Sequence, residues 1–147
     1  VLIRALAHGD VPAVVRACDW LFTPPSSTPS LWDAEVAAER LHELCDATRS
    51  TGFVAYDGDA LVGFCTVYLD LVSIRIGQRA WVNELAVAPD RRSSGIGKQL
   101  LDAARSWAHE NGATHLALDS GMARVDAHRF YRREEPSWES MSFGWLT

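Results

Sequence analysis

The sequence predicts a fold of the α/β class, of the α+β type: a mixed, mostly antiparallel sheet flanked by helices. Three observations carry this. Two runs of β-formers, residues 53–56 and 60–69, meet at Asp57-Gly58, a strong hairpin signal. After an apolar strand, Leu100, Leu101, Ala104, Trp107 and Ala108 fall at helical spacing, so the chain crosses over a sheet instead of folding straight back. The element order is β-α-α-β-β-β-α-β-α-β, and hairpins mixed with crossover helices give a mixed sheet with helices on its faces. A chain of 147 residues is expected to form one domain over residues 1–147.

Leu2-Ile3-Arg4-Ala5-Leu6 reads as a short first strand. Asp10 is placed to cap the next helix, with Pro12 in its first turn. That helix runs through Val14, Val15, Ala17 and Cys18 toward Trp20 and Phe22. Residues 23–30 hold three prolines and several hydroxyl side chains and read as a loop. Ser30 with Asp33 resembles a capping box, Asp replacing the usual Glu. The second helix then runs to about Thr48, with Ala34, Ala37, Ala38, Leu41, Leu44 and Cys45 on its apolar face. Residues 73–79 read as a loop or the end of the third strand, and 80–87 as the fourth strand. Asn111-Gly112 stops the long helix. Residues 115–119 read as a fifth strand and 124–133 as a helix broken by Pro136. Residues 137–146 alternate enough to be a last strand, through Trp138, Met141, Phe143 and Trp145.

At 48% apolar residues the chain can bury a real core. A net charge of −5 argues against a nucleic-acid-binding surface, which carries a basic excess, and adds a weak long-range bias toward cationic partners. Cys18, Cys45 and Cys65 are far apart and odd in number, with neither metal spacing nor a disulfide pattern. They read as small core hydrophobes in a reduced cytoplasm. No apolar run approaches the roughly 18 residues of a membrane span, and no signal-peptide pattern is visible. A cytoplasmic location with no membrane partner is the expectation.

Residues 83–98 organise the rest of the chain. Leu85, Ala86 and Val87 end a buried strand, and Pro89 stops it. Between the strand and the helix beginning near Ile96, the small residues Ser93, Ser94, Gly95 and Gly97 leave room for a close ligand. The first N–H groups of a helix lack intrahelical partners and carry the positive end of its dipole. Arg91, Arg92 and Lys98 add full charges. Together these make a pyrophosphate cradle. From the glycines alone, a plain strand-to-helix turn with solvated basic residues fits as well. The P-loop pattern fails at Arg92 and Gln99, and the dinucleotide pattern G-x-G-x-x-G fails at Leu100.

The pattern that does fit is V-x-P-x-x-R-x-x-G-x-G, as Val87, Pro89, Arg92, Gly95 and Gly97. It resembles the acyl-CoA-binding motif of the GNAT superfamily of N-acetyltransferases. The element order is similar to the GNAT fold over nearly the whole chain, most closely from residue 81 to 131. The resemblance implies acetyl-CoA as co-substrate and no metal. Its pyrophosphate would be wrapped by Arg92, Ser93, Ser94, Gly95, Ile96, Gly97 and Lys98, and its pantetheine arm would bond to Leu85, Ala86 and Val87 like an added strand.

Forming an amide from a thioester requires that the thioester be held and its carbonyl polarised, with a base for the amine and an acid for the thiolate. Tyr131 stands in Ala127-His128-Arg129-Phe130-Tyr131, similar to the family's A-x-x-F-Y helix. That resemblance implies a tyrosine beside the CoA sulfur, able to protonate the leaving thiolate; ordinary packing is the alternative. His128, three positions earlier on that helix, is placed to line the CoA channel. Asn83 and Glu84 are polar residues inside an apolar strand. The resemblance implies a sheet that splays beside this strand, a backbone N–H near Leu85 on the thioester carbonyl, and Asn83 or Glu84, directly or through water, taking the amine proton. Strand alternation puts the two on opposite faces, so only one faces the substrate unless a bulge intervenes. A buried structural Glu84 is the alternative. No cysteine sits in a nucleophile setting, which favours direct attack in a ternary complex over a ping-pong route. None of His8, His42, His109, His115 and His128 has metal-ligand spacing.

Two departures from the family pattern stand out. Arg124 replaces an asparagine common three residues before the helix alanine, and residues 134–138 replace the common Gly-Phe after the tyrosine helix. The family's acceptor pocket, built from the first two helices and nearby strand ends, falls on Trp20, Phe22, Trp32, Tyr68 and Asp70. Six tryptophans is a high count for this length and is compatible with an aromatic cage for a cationic amine. Core packing or a dimer contact is the plainer reading for any one of them.

The expected activity is N-acetyl transfer from acetyl-CoA to a primary amine. The acceptor would be a small molecule such as a metabolite, a polyamine or an aminoglycoside-like compound; a protein N-terminus or lysine is the second choice within that class. Outside it stand a CoA-binding sensor or structural module without turnover, and a phosphate-binding scaffold for another nucleotide. A homodimer is the default expectation for a soluble enzyme.

Overall fold

The computed structural model describes residues 1–147. Five strands form one sheet in the order β1-β2-β3-β4-β5. They are β1 Leu2–Ala5, β2 Ser50–Asp57, β3 Ala60–Ser73, β4 Gly77–Val87 and β5 His115–Ala117. Neighbours are antiparallel except β4 and β5, which are parallel. The helices are α1 Val11–Ala17, α2 Ala34–Asp46, α3 Ile96–Glu110 and α4 Val125–Arg133. No helix is long and apolar enough to cross a membrane.

Strand alternation sorts the core into two layers. Ala55, Cys65, Val67, Ala80 and Val82 face α3 and meet Ile96, Leu100, Leu101, Ala104 and Ala108, the stripe expected from helical spacing. Val54, Phe64 and Ala86 face the other way, onto Val11, Val14, Ala17 and Leu41 of α1 and α2. Helix α3 lies close to the sheet because β3 carries a glycine beneath it. A Cβ on Gly63 would stand 2.9 Å from Leu100 Cδ1 and 3.0 Å from Ile96 Cγ2.

Several boundaries differ from the sequence reading. Helix α1 ends at Ala17 and tightens into a 3-10 turn, Cys18–Leu21. Helix α2 is capped by Asp33, whose carboxylate accepts the Glu35 and Val36 N–H groups at 2.9 and 3.2 Å, so Ser30 is not the cap. The N-cap side chain has to lie directly before the first turn to reach those donors. Residues 77–79 are strand, not loop: β3 and β4 form one long hairpin, with Gly77 at φ 88° just after its turn.

The expected last strand is absent. Residues 137–147 carry no regular structure, and Trp138, Met141, Phe143, Trp145 and Leu146 are exposed. A strand forms only against a partner edge, and β5 offers three residues, all paired on their other side to β4. Side chains hold the tail instead: Arg132 bonds Glu139 at 2.8 Å, Ser142 Oγ donates to Asp119 at 3.0 Å, and the Trp138 ring tilts onto His115.

Asp10 does not cap α1 with its side chain. Its carboxylate accepts two bonds from Arg4, at 2.7 and 2.8 Å, one from the Tyr56 hydroxyl at 2.9 Å and one from the Ala7 N–H at 2.9 Å. The Arg4 bonds, helped by the Ala7 amide and Tyr56, overcome burial and hold this carboxyl down at about 2. An ordinary aspartate titrates near 3.9. The folded state therefore gains stability above the ordinary value and loses it as pH falls toward the folded one. Asp10→Asn is expected to lower the unfolding free energy near neutral pH by about 2 kcal/mol. In urea titrations the gap between wild type and variant should shrink as pH drops from about 4 to about 2.

Candidate active site

The site forms where β4 loses its neighbour. β4 pairs with β5 only at Arg79, Ala80 and Trp81. From there to Val87 its outer edge has no strand beside it, and a cleft of about 890 Å³ opens along Leu85, Ala86 and Val87. One wall is the turn into α3, including Arg92, Ser93, Gly95, Ile96, Gly97 and Lys98; another is α4 from Ala127 to Arg133; Trp20 and the loop at Pro24 and Pro25 close a third side.

At the end formed by the turn, Ser93 has φ 61° and Gly95 φ 86°. Left-handed residues in this pattern aim successive amides at one point and make an anion-binding concavity. No N–H group from Arg92 to Lys98 donates to another backbone group, while the next amide, Gln99, already bonds to the Gly95 carbonyl at 3.1 Å. Arg91 is engaged by Asp57 at 2.6 Å, and Lys98 by Asp102 at 2.9 Å and Glu134 at 3.4 Å. Arg92 is left as the exposed, unpaired cation of the turn. A Cβ on Gly97 would lie 3.4 Å from Phe130 Cζ and 3.7 Å from Val87 Cγ2, so α3, α4 and the end of β4 converge at this residue. Two expected cofactor contacts are not on the lining. The Ser94 hydroxyl bonds the Arg91 carbonyl, and His128 Nε2 turns away to the Gly121 carbonyl at 2.9 Å.

At the other end, Tyr131, Leu85, Leu21 and Arg124 also line an adjoining cavity of about 90 Å³, together with Asn83, Glu84 and Asp119. Asn83 and Glu84 both reach it because the β3–β4 register slips between them. Glu84 pairs with Thr66 and Val82 with Val67, which leaves Asn83 as the extra residue of a bulge. Asn83 Nδ2 donates to Glu84 Oε1 at 3.0 Å, and the Thr66 hydroxyl donates to Oε2. Burial pushes the Glu84 carboxyl up, with the Thr66 bond opposing. Burial likewise raises Tyr131, with the positive charge of Arg124 opposing. Burial, reinforced by Glu84, lifts the Cys18 thiol to about 11 and the Cys65 thiol to about 12. Neither supplies a thiolate near neutral pH.

Of the residues expected to receive an acceptor, only Trp20 lines the cleft. Phe22 and Trp32 pack edge to face, ring centroids 4.9 Å apart, in the layer under α1 and α2. Tyr68 and Asp70 lie farther along β3, where Asp70 pairs with Arg79 and Arg79 sits over the Trp81 ring at 4.7 Å. Sequence reasoning missed the left-handed Ser93, which only the backbone reveals, and the cleft-lining Arg129 and Arg133. Those two stand four apart on α4, a spacing that puts them on one face.

A sheet parted beside a strand–nest–helix turn can hold an extended ligand with an anionic end. The sequence profile of the Acetyltransferase (GNAT) family matches residues 15–134, and the chain belongs to that family. It is 37% identical over 99 residues to the uncharacterized N-acetyltransferase YhdJ of Bacillus subtilis (strain 168), covering 67% of this chain and 69% of that one. It is 32% identical over 107 residues to aminoglycoside N(6')-acetyltransferase type 1 of Stenotrophomonas maltophilia, covering 69% and 70% of the two chains. Among solved structures, the aminoglycoside acetyltransferase meta-AAC0020 from an uncultured soil metagenomic sample superposes with a TM-score of 0.77 over 99% of this chain and 94% of that one, at 25% identity.

The left-handed Ser93 gives a test of the nest. Ser93→Gly removes the Cβ penalty of that backbone and is expected to raise stability by up to about 1 kcal/mol, whereas Ser93→Val lowers it by at least that much. Thermal unfolding of the two variants against wild type measures both.

Proposed function

We propose that the protein transfers the acetyl group of acetyl-CoA to a primary amine of a small molecule, by direct attack in a ternary complex. The observation that carries this reading is the run of unengaged amides at residues 92–98, opening onto a cleft that ends at Tyr131 and Glu84. The pyrophosphate binds those amides and Arg92. The pantetheine arm bonds the bare edge of β4 at Leu85, Ala86 and Val87, and the thioester reaches the small cavity. Relatives named for aminoglycoside acetylation support a small acceptor carrying several amines.

The chemistry follows from the groups at that end. The neutral amine nitrogen attacks the thioester carbon, whose oxygen is polarised by the backbone N–H near Leu85. The carbon–nitrogen bond forms, the carbon–sulfur bond breaks and its electron pair leaves on sulfur. Glu84, directly or through a water beside Asn83, takes the proton lost by nitrogen. Burial makes this carboxylate a stronger base than an exposed one. Tyr131 keeps its proton at neutral pH for the same reason and gives it to sulfur.

The test is thiol release from acetyl-CoA against a panel of small amines. Tyr131→Phe is expected to lower kcat by about a hundredfold or more with little change in the KM for acetyl-CoA. In wild type the rate falls on the acid side as Glu84 becomes protonated, and Glu84→Gln should remove that limb along with most of the activity. Tight CoA binding with no release on any amine would instead favour a module without turnover.

A further inference from the structure

One charged side chain at the junction of the two cavities has no role so far. Arg124 precedes α4, is partly buried, and lines both the long cleft and the small cavity. It forms no ion pair, although carboxylates lie on the same lining. It is the only cation lining the small cavity, whose other polar groups are Asn83 and Glu84 of β4, Asp119 beyond β5, and Tyr131 of α4. The buried Cys65 thiol of β3 stands behind Tyr131. The aliphatic stem of Arg124 runs beside Gly121, where a Cβ would meet Arg124 Cγ and Cδ at 3.8 Å, an ordinary contact.

We propose that Arg124 holds the negative charge of the departing CoA sulfur, from the breaking of the carbon–sulfur bond until Tyr131 delivers its proton. The proposal rests on the cleft being the acetyl-CoA site. Its reason is the charge that sulfur carries before Tyr131 has given up its proton, beside the one unpaired cation on the lining. A thiol and a phenol are both weak acids: a cysteine side chain titrates near 8.5 and a tyrosine near 10. Burial moves Tyr131 further up. Burial opposes any anion there, so charge on sulfur before the proton arrives is unfavourable in a cavity that also holds Asp119. An uncompensated charge there is costly, and a guanidinium fixed beside it answers that cost without needing a proton. The protons still balance: nitrogen loses one to Glu84, sulfur gains one from Tyr131, and solvent exchange restores both side chains.

The test needs no acceptor. CoA and desulfo-CoA, which lacks the sulfur, are titrated calorimetrically across pH into wild type, Arg124→Gln, Arg124→Lys and Tyr131→Phe. A guanidinium beside the sulfur lowers the bound thiol's pKa, so CoA affinity rises with pH between the bound and free values. The expected rise is about tenfold for each pH unit of lowering, while desulfo-CoA binding stays flat. Arg124→Gln should abolish most of the rise and leave desulfo-CoA affinity unchanged; Arg124→Lys should restore part of it; Tyr131→Phe should retain it. A rise that survives in Arg124→Gln overturns the proposal. So does an equal loss of both ligands in that variant, which would place Arg124 on another part of CoA. If wild type binds neither ligand, the acetyl-CoA reading itself fails, and this one with it.

Discussion

The structure depends on β4 keeping a strand neighbour on one side only beyond Trp81. An open strand edge inside a folded sheet is a row of backbone donors and acceptors awaiting partners. Here the long β3–β4 hairpin holds β4 rigidly from one side, and β5 stops after three pairs on the other. The edge is thus fixed in place, accessible, and backed by the densest part of the core, where Phe64, Cys65 and Val67 are fully buried. Everything at the site is measured from it. The turn into α3 continues its end, α4 faces it, and the bulge at Asn83 lies within it.

One glycine sets how closely a wall approaches the sheet. Gly63 lets α3 settle onto β3, and the head of the same helix, at Gly97, packs against Phe130 and Val87. Because Phe130 and Tyr131 are adjacent on α4, the packing contact and the phenol are carried by one turn of helix. The salt bridge from Lys98 to Glu134 joins the same two walls farther along. This pairing explains why Lys98 is spent on structure, while Arg92 is left exposed and unpaired.

Much of this was legible in the sequence because it is local. The stripe from Ile96 to Ala108, the Asp57-Gly58 hairpin, and the strand–turn–helix order around Gly95 and Gly97 all follow from neighbours within a few positions. What was illegible involves distant partners. The choice between Asn83 and Glu84 turned on a register slip against Thr66 and Val67, which no spacing within β4 reveals. Asp10 had the chemistry of a cap, yet Arg4 and Tyr56 claimed its carboxylate. His128 had the right helical offset from Tyr131 but found the Gly121 carbonyl. The tail after Pro136 has strand-like alternation, and it stays irregular because β5 is too short to template it. The acceptor set was read from where the family resemblance places that pocket, with the tryptophan count in support; of it, only Trp20 lines the cleft, and Phe22 and Trp32 pair with each other.

The small cavity beyond Tyr131 has a further consequence, for the length of the chain that can be handed over. Its volume is about 90 Å³, small beside the long cleft it adjoins. An acetyl group held there would lie among Tyr131, Leu85 and Glu84. Leu21, Val82 and Leu118 are part of the cavity's apolar lining, and of these Val82 belongs to the buried core. Asn83 and Asp119 at its rim are exposed, so a longer acyl chain would leave the cavity across polar side chains and into water.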